Sequence, residues 1–135
     1  MATITLKTVL INNEALPNGY LPNTLKYKLG IGEKQVVVVQ NGNTTKTIPS
    51  IDATTKKSMF SIEVKPTGAD SNTEDMTKFI ARIGRALGTL GISVTSADDN
   101  SKRFFPNCSL INEPDINDSV DGTIVLDFEG DPAQL

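Results

Sequence analysis

The residues best suited to chemistry in this chain are three aspartates at equal spacing in its C-terminal part. Asp115, Asp118 and Asp121 recur every third residue, and neighbouring carboxylates can act as general acid and base or can bind calcium. They stand among asparagine and serine, where aspartate commonly hydrogen-bonds the backbone of its own turn. The spacing also lacks the alternate-residue pattern, central glycine and final glutamate of an EF-hand loop. We therefore expect neither catalysis nor a metal site here.

The composition lacks the side chains on which most catalytic and metal sites depend. The 135 residues include no histidine and a single cysteine, Cys108. Without histidine the chain has neither the commonest general base nor the commonest metal ligand. One cysteine allows neither an internal disulfide nor a cysteine metal cluster. The sequence predicts no catalytic residue, no cofactor-binding residue, no metal ligand and no enzymatic activity.

Charge is distributed unevenly along the chain. The net charge is −3, but residues 1–67 carry +4 and residues 68–135 carry −7. Such polarity suits head-to-tail association of identical subunits, because one face can attract the opposite face of the next copy. On charge alone, an uneven scatter of surface charge explains it equally well. The basic pairs Lys56-Lys57 and Lys102-Arg103 have no aromatic platform beside them, which argues against a basic groove for nucleic acid.

The elements that must position these residues are one helix and a series of strands. Residues 71–91 have the periodicity of an amphipathic helix, with apolar residues at three- and four-residue intervals. Its predicted core face consists of Met76, Phe79, Ile80, Ile83, Leu87 and Leu90. Ser71 and Glu74 form a capping-box pattern at its start, and Gly91 is suited to end it. It is the only convincing helix in the sequence.

The remaining sequence has the alternation and the turn residues of β-strands. Strands are predicted at 3–11, 24–29, 35–40, 44–48, 58–65, 92–94 and 123–128, and residues 104–111 return to the core. In the strand 58–65, Phe60, Ile62 and Val64 are predicted to face inward. In the strand 123–128, the alternating apolar face is Ile124, Leu126 and Phe128. The four consecutive valines Val36–Val39 predict a strand that is covered on both faces. Asn41-Gly42-Asn43 predicts a hairpin turn after it. Residues 49–57 are polar and are predicted to form a loop.

These elements predict a single domain, residues 1–135, of the mainly-β class. Hairpin spacing and a single helical crossover favour antiparallel pairing. The expected fold is an antiparallel β-sandwich or barrel with one flanking α-helix at about 71–91. No apolar run approaches the ~20 residues that cross a bilayer, and the first residues lack the basic and apolar parts of a signal peptide. We expect synthesis in a cytoplasm and no membrane segment.

Taken together, the segments resemble the tail tube proteins of contractile-tailed bacteriophages. The order is the strand Thr24–Leu29, the hairpin Val36–Ile48, the polar loop 49–57, the strand Met59–Val64 and then the helix. The end of the chain reads Phe105-Pro-Asn-Cys-Ser-Leu-Ile-Asn-Glu-Pro-Asp-Ile116 and then Asp121-Gly-Thr-Ile-Val-Leu-Asp-Phe-Glu-Gly130. The resemblance covers nearly the whole chain, and none of its motifs is a catalytic signature.

The resemblance implies a β-sandwich or barrel subunit, with six subunits in a ring and rings stacked into a hollow tube for DNA delivery. Strands of neighbouring subunits would join into one inner barrel, which would pair the open sheet edges. The loop 49–57 would reach the adjacent ring or subunit. Expected subunit-interface residues are Asp52, Lys56, Lys57, Asp115, Asp118 and Asp121.

The implied partners are other copies of the chain, the tail sheath, the baseplate and a terminator protein. DNA would pass through the lumen without specific binding, and the protein would reside in the virion tail after assembly in the host cytoplasm. Two other kinds of function stay open at this point. One is a small β-sandwich binding module, although the chain has no tryptophan and two tyrosines, which weakens a carbohydrate site. The other is a tube-end, terminator-like tail protein.

Overall fold

Strands with alternating buried side chains make up most of the fold. The computed structural model describes residues 7–17, 19–66, 73–96, 101–117 and 122–135. Within them the strands are β1 (Lys7–Ile11), β2 (Glu14–Ala15), β3 (Lys26–Lys28), β4 (Glu33–Asn41), β5 (Thr44–Asp52), β6 (Ser58–Val64), β7 (Leu90–Ser96), β8 (Lys102–Leu110) and β9 (Ile124–Gly130), and the helix α1 is Thr73–Gly84.

Seven strands form one sheet in the order β2-β1-β7-β8-β9-β6-β3, and β4 and β5 form a separate two-stranded ribbon. Every pairing is antiparallel. The mainly-β, antiparallel class predicted from the sequence is confirmed. Among the described strands the sheet ends at β2 and β3, so it is sandwich-like and is not closed into a barrel.

The strand β8 joins the two halves of the sheet and carries a bulge. It pairs with β7 along most of its length, and Ser109 and Leu110 pair with β9. The step from Leu90 to Ile92 on β7 is matched by the longer step from Phe105 to Cys108 on β8. An extra residue on one strand bends that strand and increases its twist. The bulge therefore lets the sheet curve around one core.

The core is formed by the inward residues of β6, β7 and β9 together with the helix. The strand residues that are almost completely buried are Phe60, Ile62, Val64, Ile92, Val94, Ile124, Leu126 and Phe128. The inward faces predicted for residues 58–65 and 123–128 are confirmed. Phe105 lies between Tyr27 and Phe60, with ring centroids 5.3 Å from each, an edge-to-face arrangement that stabilises cores beyond the buried area alone.

The helix α1 lies on this core through four of its six predicted core residues. Met76, Phe79, Ile80 and Ile83 are each at most 5% exposed, so this part of the predicted core face is confirmed. Residues 71 and 72, including the predicted cap Ser71, lie outside the described part of the chain. No helix within the described residues is long and apolar enough to cross a bilayer.

The predicted extension of the helix to residue 91 is wrong. Helix α1 ends at Gly84, Leu87 is 84% exposed, and the buried Leu90 belongs to β7. Glycine is a poor helix former, and the turn that follows is fixed by a hydrogen bond from the Gly88 N–H to Ser109 Oγ at 2.6 Å. The apolar periodicity continues past the end of α1 because Leu90 is also buried, although as a residue of the strand β7.

Two further predictions about the hairpin segment are wrong. The valines Val36–Val39 lie on β4, but the described residues cover them on neither face, and they are exposed. Residues 49–57 are not a loop, because Pro49–Asp52 continue β5 and Ala53–Thr55 form a 3-10 turn. The ladder continues for nine pairs in one register, so the strands extend to the polar residues that suggested a loop.

Candidate assembly surface

The β4–β5 hairpin is closed by a two-residue turn that fits its sequence. Asn41 and Thr44 are directly opposed at its end, and Gly42 has a φ of 64°. A glycine with positive φ at the first central position is the pattern of a type II′ turn, whose twist matches that of the flanking strands. The Thr44 hydroxyl also donates to the Asn41 carbonyl at 2.8 Å. The predicted turn at residues 41–43 is thus a tight one.

Apolar side chains occupy both faces of the hairpin. Residues directly opposite in an antiparallel pair share a face, so Val37 and Ile48 lie on one face and Val36 and Pro49 on the other. The apolar side chains that are between 42% and 65% exposed are Val36, Val37, Val38, Val39, Ile48 and Ile51. Exposed apolar side chains grouped on one element are typical of a site of interaction.

The hairpin is long for a structure with so little support. Nine residues in each strand correspond to a ribbon of about 30 Å at about 3.4 Å per residue. A two-stranded hairpin on its own is marginally stable in water. A run of β-branched residues on both faces is typical of a strand that is covered on both sides. Among the described residues, no segment supplies such a cover for Val36–Val39.

Two glycines hold the base of the hairpin against the body of the fold. Gly30 and Gly32 have φ values of 91° and 90°, which other residues rarely adopt. A Cβ atom on Gly30 would lie 2.9 Å from backbone atoms of Lys57 and Pro132. Only glycine therefore lets the chain cross between the 56–58 segment and the C-terminal segment before the hairpin begins.

Hydrogen bonds around Asp52 complete the base. Asp52 Oδ1 accepts from the backbone N–H of Thr54 at 3.1 Å and from its hydroxyl at 2.7 Å. The bond from the Thr54 hydroxyl, followed by that from its N–H, lowers the pKa of Asp52. The Glu33 N–H donates to Thr55 Oγ1 at 2.6 Å, which ties the start of β4 to the turn after β5. The ribbon thus leaves the sheet in a defined direction.

The structure places the predicted interface residues in two regions. Asp52, Lys56 and Lys57 come together at the base of the hairpin. Lys57 Nζ forms an ion pair with Glu129 Oε1 on β9 at 2.8 Å, whereas Lys56 is exposed. Asp115 is exposed on the segment after β8. Asp118 and Asp121 lie outside the described residues, so their predicted role stays a prediction.

The strongest candidates for contact were not in the predicted interface set. They are the exposed apolar residues of β4 and β5. For these residues the sequence predicted only that the strand at Val36–Val39 is covered on both faces. The signal was present in the run of four valines next to Asn41-Gly42-Asn43. A run covered on both faces can be covered by another copy, and one sequence does not distinguish that case from a core strand.

Chemical groups are sparse elsewhere on the described surface. Within the described ranges, no three histidine, cysteine, aspartate or glutamate side chains are grouped as a metal site. Cys108 is buried, and its thiol contacts the Phe105 carbonyl at 3.3 Å. Burial raises the pKa of Cys108 to about 11, so the thiol stays protonated and is a poor nucleophile at neutral pH.

Comparison of the chain with models of known protein families and with curated protein sequences finds no match. Its function is therefore inferred from the hairpin and from the resemblance in its sequence.

Proposed function

We propose that this protein is a structural subunit of a phage-type tail tube, which assembles as hexameric rings stacked into a hollow conduit for DNA. The observation that carries the proposal is the β4–β5 hairpin, whose nine pairs expose apolar side chains on both faces. Such a ribbon gains stability when neighbouring copies cover it, because apolar burial is the main favourable term in protein association.

The size of the hairpin suits a stable protein contact. It contributes nine residues from each strand, and a standard interface uses about 20–30 residues on each side. One copy can thus supply close to a full interface with this element alone.

The charge distribution supports association in one direction. The hairpin belongs to the half of the chain that carries +4, and the last two strands belong to the half that carries −7. Contacts between unlike halves of successive copies repeat without closing on themselves, which is the requirement for a stack. The net charge of −3 also disfavours tight binding of phosphate, as a conduit for DNA requires.

The proposed role has consequences for location and partners. The protein would reside in the tail of a virion after assembly in the host cytoplasm, and it would have no enzymatic activity. A sheath would surround the tube, with baseplate and terminator proteins at its ends. These assignments depend on the resemblance in the sequence and on the proposed self-assembly.

The first prediction is that the parent protein polymerises and that a variant without the hairpin does not. Glu33 and Asp52 are directly opposed, so Asn-Gly can replace residues 34–51 and leave the base of the hairpin intact. No residue that is removed belongs to the buried core, so the variant should fold. Negative-stain electron microscopy of a concentrated sample should show tubes for the parent alone.

The control is the melting transition of the shortened protein, which should resemble that of the unassembled parent. Tubes formed by the shortened protein would show that the hairpin does not carry assembly. A parent that stays monomeric at every concentration tested would contradict the tube itself.

A further inference from the structure

We propose that one edge of the hairpin, the outer edge of β4, receives a strand from a second copy of this chain, and that the outer edge of β5 does not. The inference rests on the proposed self-assembly and specifies the backbone through which it occurs. It follows from the register of the hairpin, the position of one proline and the state of the other strand edges.

The register determines which backbone groups point away from the hairpin. Asn41 and Thr44 close a two-residue turn, and such a closing pair is hydrogen-bonded. Hydrogen-bonded and non-hydrogen-bonded pairs alternate along an antiparallel ladder. The pairs Val38–Thr47 and Val36–Pro49 are consequently of the non-hydrogen-bonded kind. Their backbone N–H and C=O groups face outward, on the free edges of the ribbon.

Pro49 makes the two free edges unequal. At an outward-facing position, proline removes no hydrogen bond from the hairpin, but it removes a donor from the free edge of β5. Proline on an edge strand is a common means of preventing further pairing. The opposite strand β4 contains no proline in its nine residues. Its free edge therefore keeps every donor and acceptor.

The other edges of the described sheet are short or occupied. At β1, the Lys7 N–H donates to the Tyr20 hydroxyl at 3.2 Å, and that hydroxyl donates to the Lys7 carbonyl. The strand β2 has two residues, and β3 has three, of which two are exposed lysines. Short strands and edge lysines both discourage pairing. The outer edge of β4 is the long unprotected edge among the described strands.

The composition of β4 indicates an identical partner. Residues 35–45 contain no charged side chain, so recognition there depends on backbone pairing and on apolar contact. An uncharged segment of high β-propensity accepts an added strand through its backbone and its apolar side chains. A charged peptide would find no complementary group along this stretch. A second copy of the chain is the partner that this edge fits.

The test uses two substitutions on opposite strands at one rung of the ladder. Val38→Pro removes an outward donor from the β4 edge, and Thr47→Pro makes the same change directly across the ladder on the β5 edge. Pro49 shows that such a position accepts proline. Val38→Pro should raise the critical concentration for assembly about tenfold or more, because a carbonyl of the partner is left unpaired. Thr47→Pro should leave it unchanged, and Val38→Thr should separate loss of the valine side chain from loss of the N–H.

Light scattering and electron microscopy distinguish five outcomes. Loss of assembly in Val38→Pro alone supports the β4 edge. The proposed edge is overturned if assembly is lost in Thr47→Pro alone, if it is lost in both variants, or if both variants still assemble. None of these three outcomes contradicts the tube. A parent that does not assemble overturns the tube and the edge together.

Hydrogen exchange gives a direct second readout on the unmodified protein. On assembly, the amides of Val36 and Val38 should become protected, because they would donate to the added strand. The amides of Thr45 and Thr47 face the other edge and should exchange as fast as in the unassembled protein. Protection on β5 without protection on β4 would reverse the assignment.

Discussion

Cys108 carries a thiol, which is a reactive group, but its burial makes it unreactive. Its side chain is 1% exposed, and a Cβ atom on the neighbouring Gly130 would lie 2.6 Å from its sulfur. A thiolate there would lose its hydration without gaining a cation, which is why burial raises its pKa to about 11. The site stabilises the neutral thiol.

The sign of the resulting pH dependence follows from linkage. The folded protein holds the Cys108 proton more tightly than the unfolded chain, where the pKa is near 9.0. The contribution to stability is thus complete below pH 9 and is lost as the pH rises from about 9 to about 11. Urea unfolding at pH 8 and at higher pH should show this loss in the parent. Cys108→Ala should show a smaller loss, since the buried thiol is then absent.

A second prediction at the residue scale compares two apolar residues of the predicted helix face, Ile83 and Leu87. Ile83 is 4% exposed, whereas Leu87 is 84% exposed. Ile83→Ala should lower the free energy of unfolding by about 2–5 kcal/mol, because it removes buried methyl groups and leaves a cavity. Leu87→Ala should change it by no more than about 0.5 kcal/mol. Equal denaturation midpoints for the two variants would show that the helix face is not as described.

At the scale of elements, the sequence was most informative where one face of an element is buried. The inward residues of β6 and β9 and the first three turns of the α1 core face followed directly from their period. The end of α1 did not, because Leu90 keeps the helical spacing although it is buried from a strand. Periodicity records which residues are buried and does not record which element buries them.

The hairpin exposes a different limit of sequence analysis. Its turn was predicted correctly from Asn41-Gly42-Asn43, since the turn depends on local backbone preferences. Val36–Val39 were predicted to be covered on both faces, but the described residues leave those side chains exposed. A single sequence specifies that a strand is to be covered, and the covering surface can belong to another molecule.

The sequence predicted only part of the candidate assembly surface. Residues 49–57 were expected to form a loop that reaches an adjacent ring or subunit, and they include part of the base of the hairpin. Their selection as a loop missed Pro49 as a strand residue on a free edge. Only the register of the ladder shows that Pro49 faces outward on β5, and the sequence alone does not determine that register.

At the scale of the whole molecule, some oppositely charged residues already form ion pairs within the chain. The ion pairs Lys57–Glu129 and Arg82–Glu14 are each 2.8 Å long, and the first of them links the basic half to the acidic half. Each pair satisfies one acidic side chain within the chain. Other acids, such as Asp115, stay exposed and are the ones that a neighbouring copy could meet.

The last prediction concerns the effect of salt on assembly. If the basic half of one copy meets the acidic half of the next, growth should slow as salt rises, since the Debye length falls from ~10 Å at 0.1 M to ~3 Å at 1 M. Apolar burial along the hairpin and strand pairing are not screened, and some salts strengthen apolar burial. Salt should therefore slow growth from monomers and leave finished tubes intact.

The variant that tests this prediction changes Asp115, Asp118 and Asp121 together to asparagine. It should reduce the salt dependence of growth measured by light scattering at low and high sodium chloride. A control with Asp70, Asp98 and Asp99 changed to asparagine alters the net charge equally but lies outside the acidic stretch 113–131, and it should keep the parent's dependence. Equal effects of both variants would assign the salt response to net charge, because repulsion between like-charged subunits depends on total charge and not on where the carboxylates lie. Growth of the parent at one rate in all salt concentrations would leave the apolar hairpin as the sole driving force for assembly.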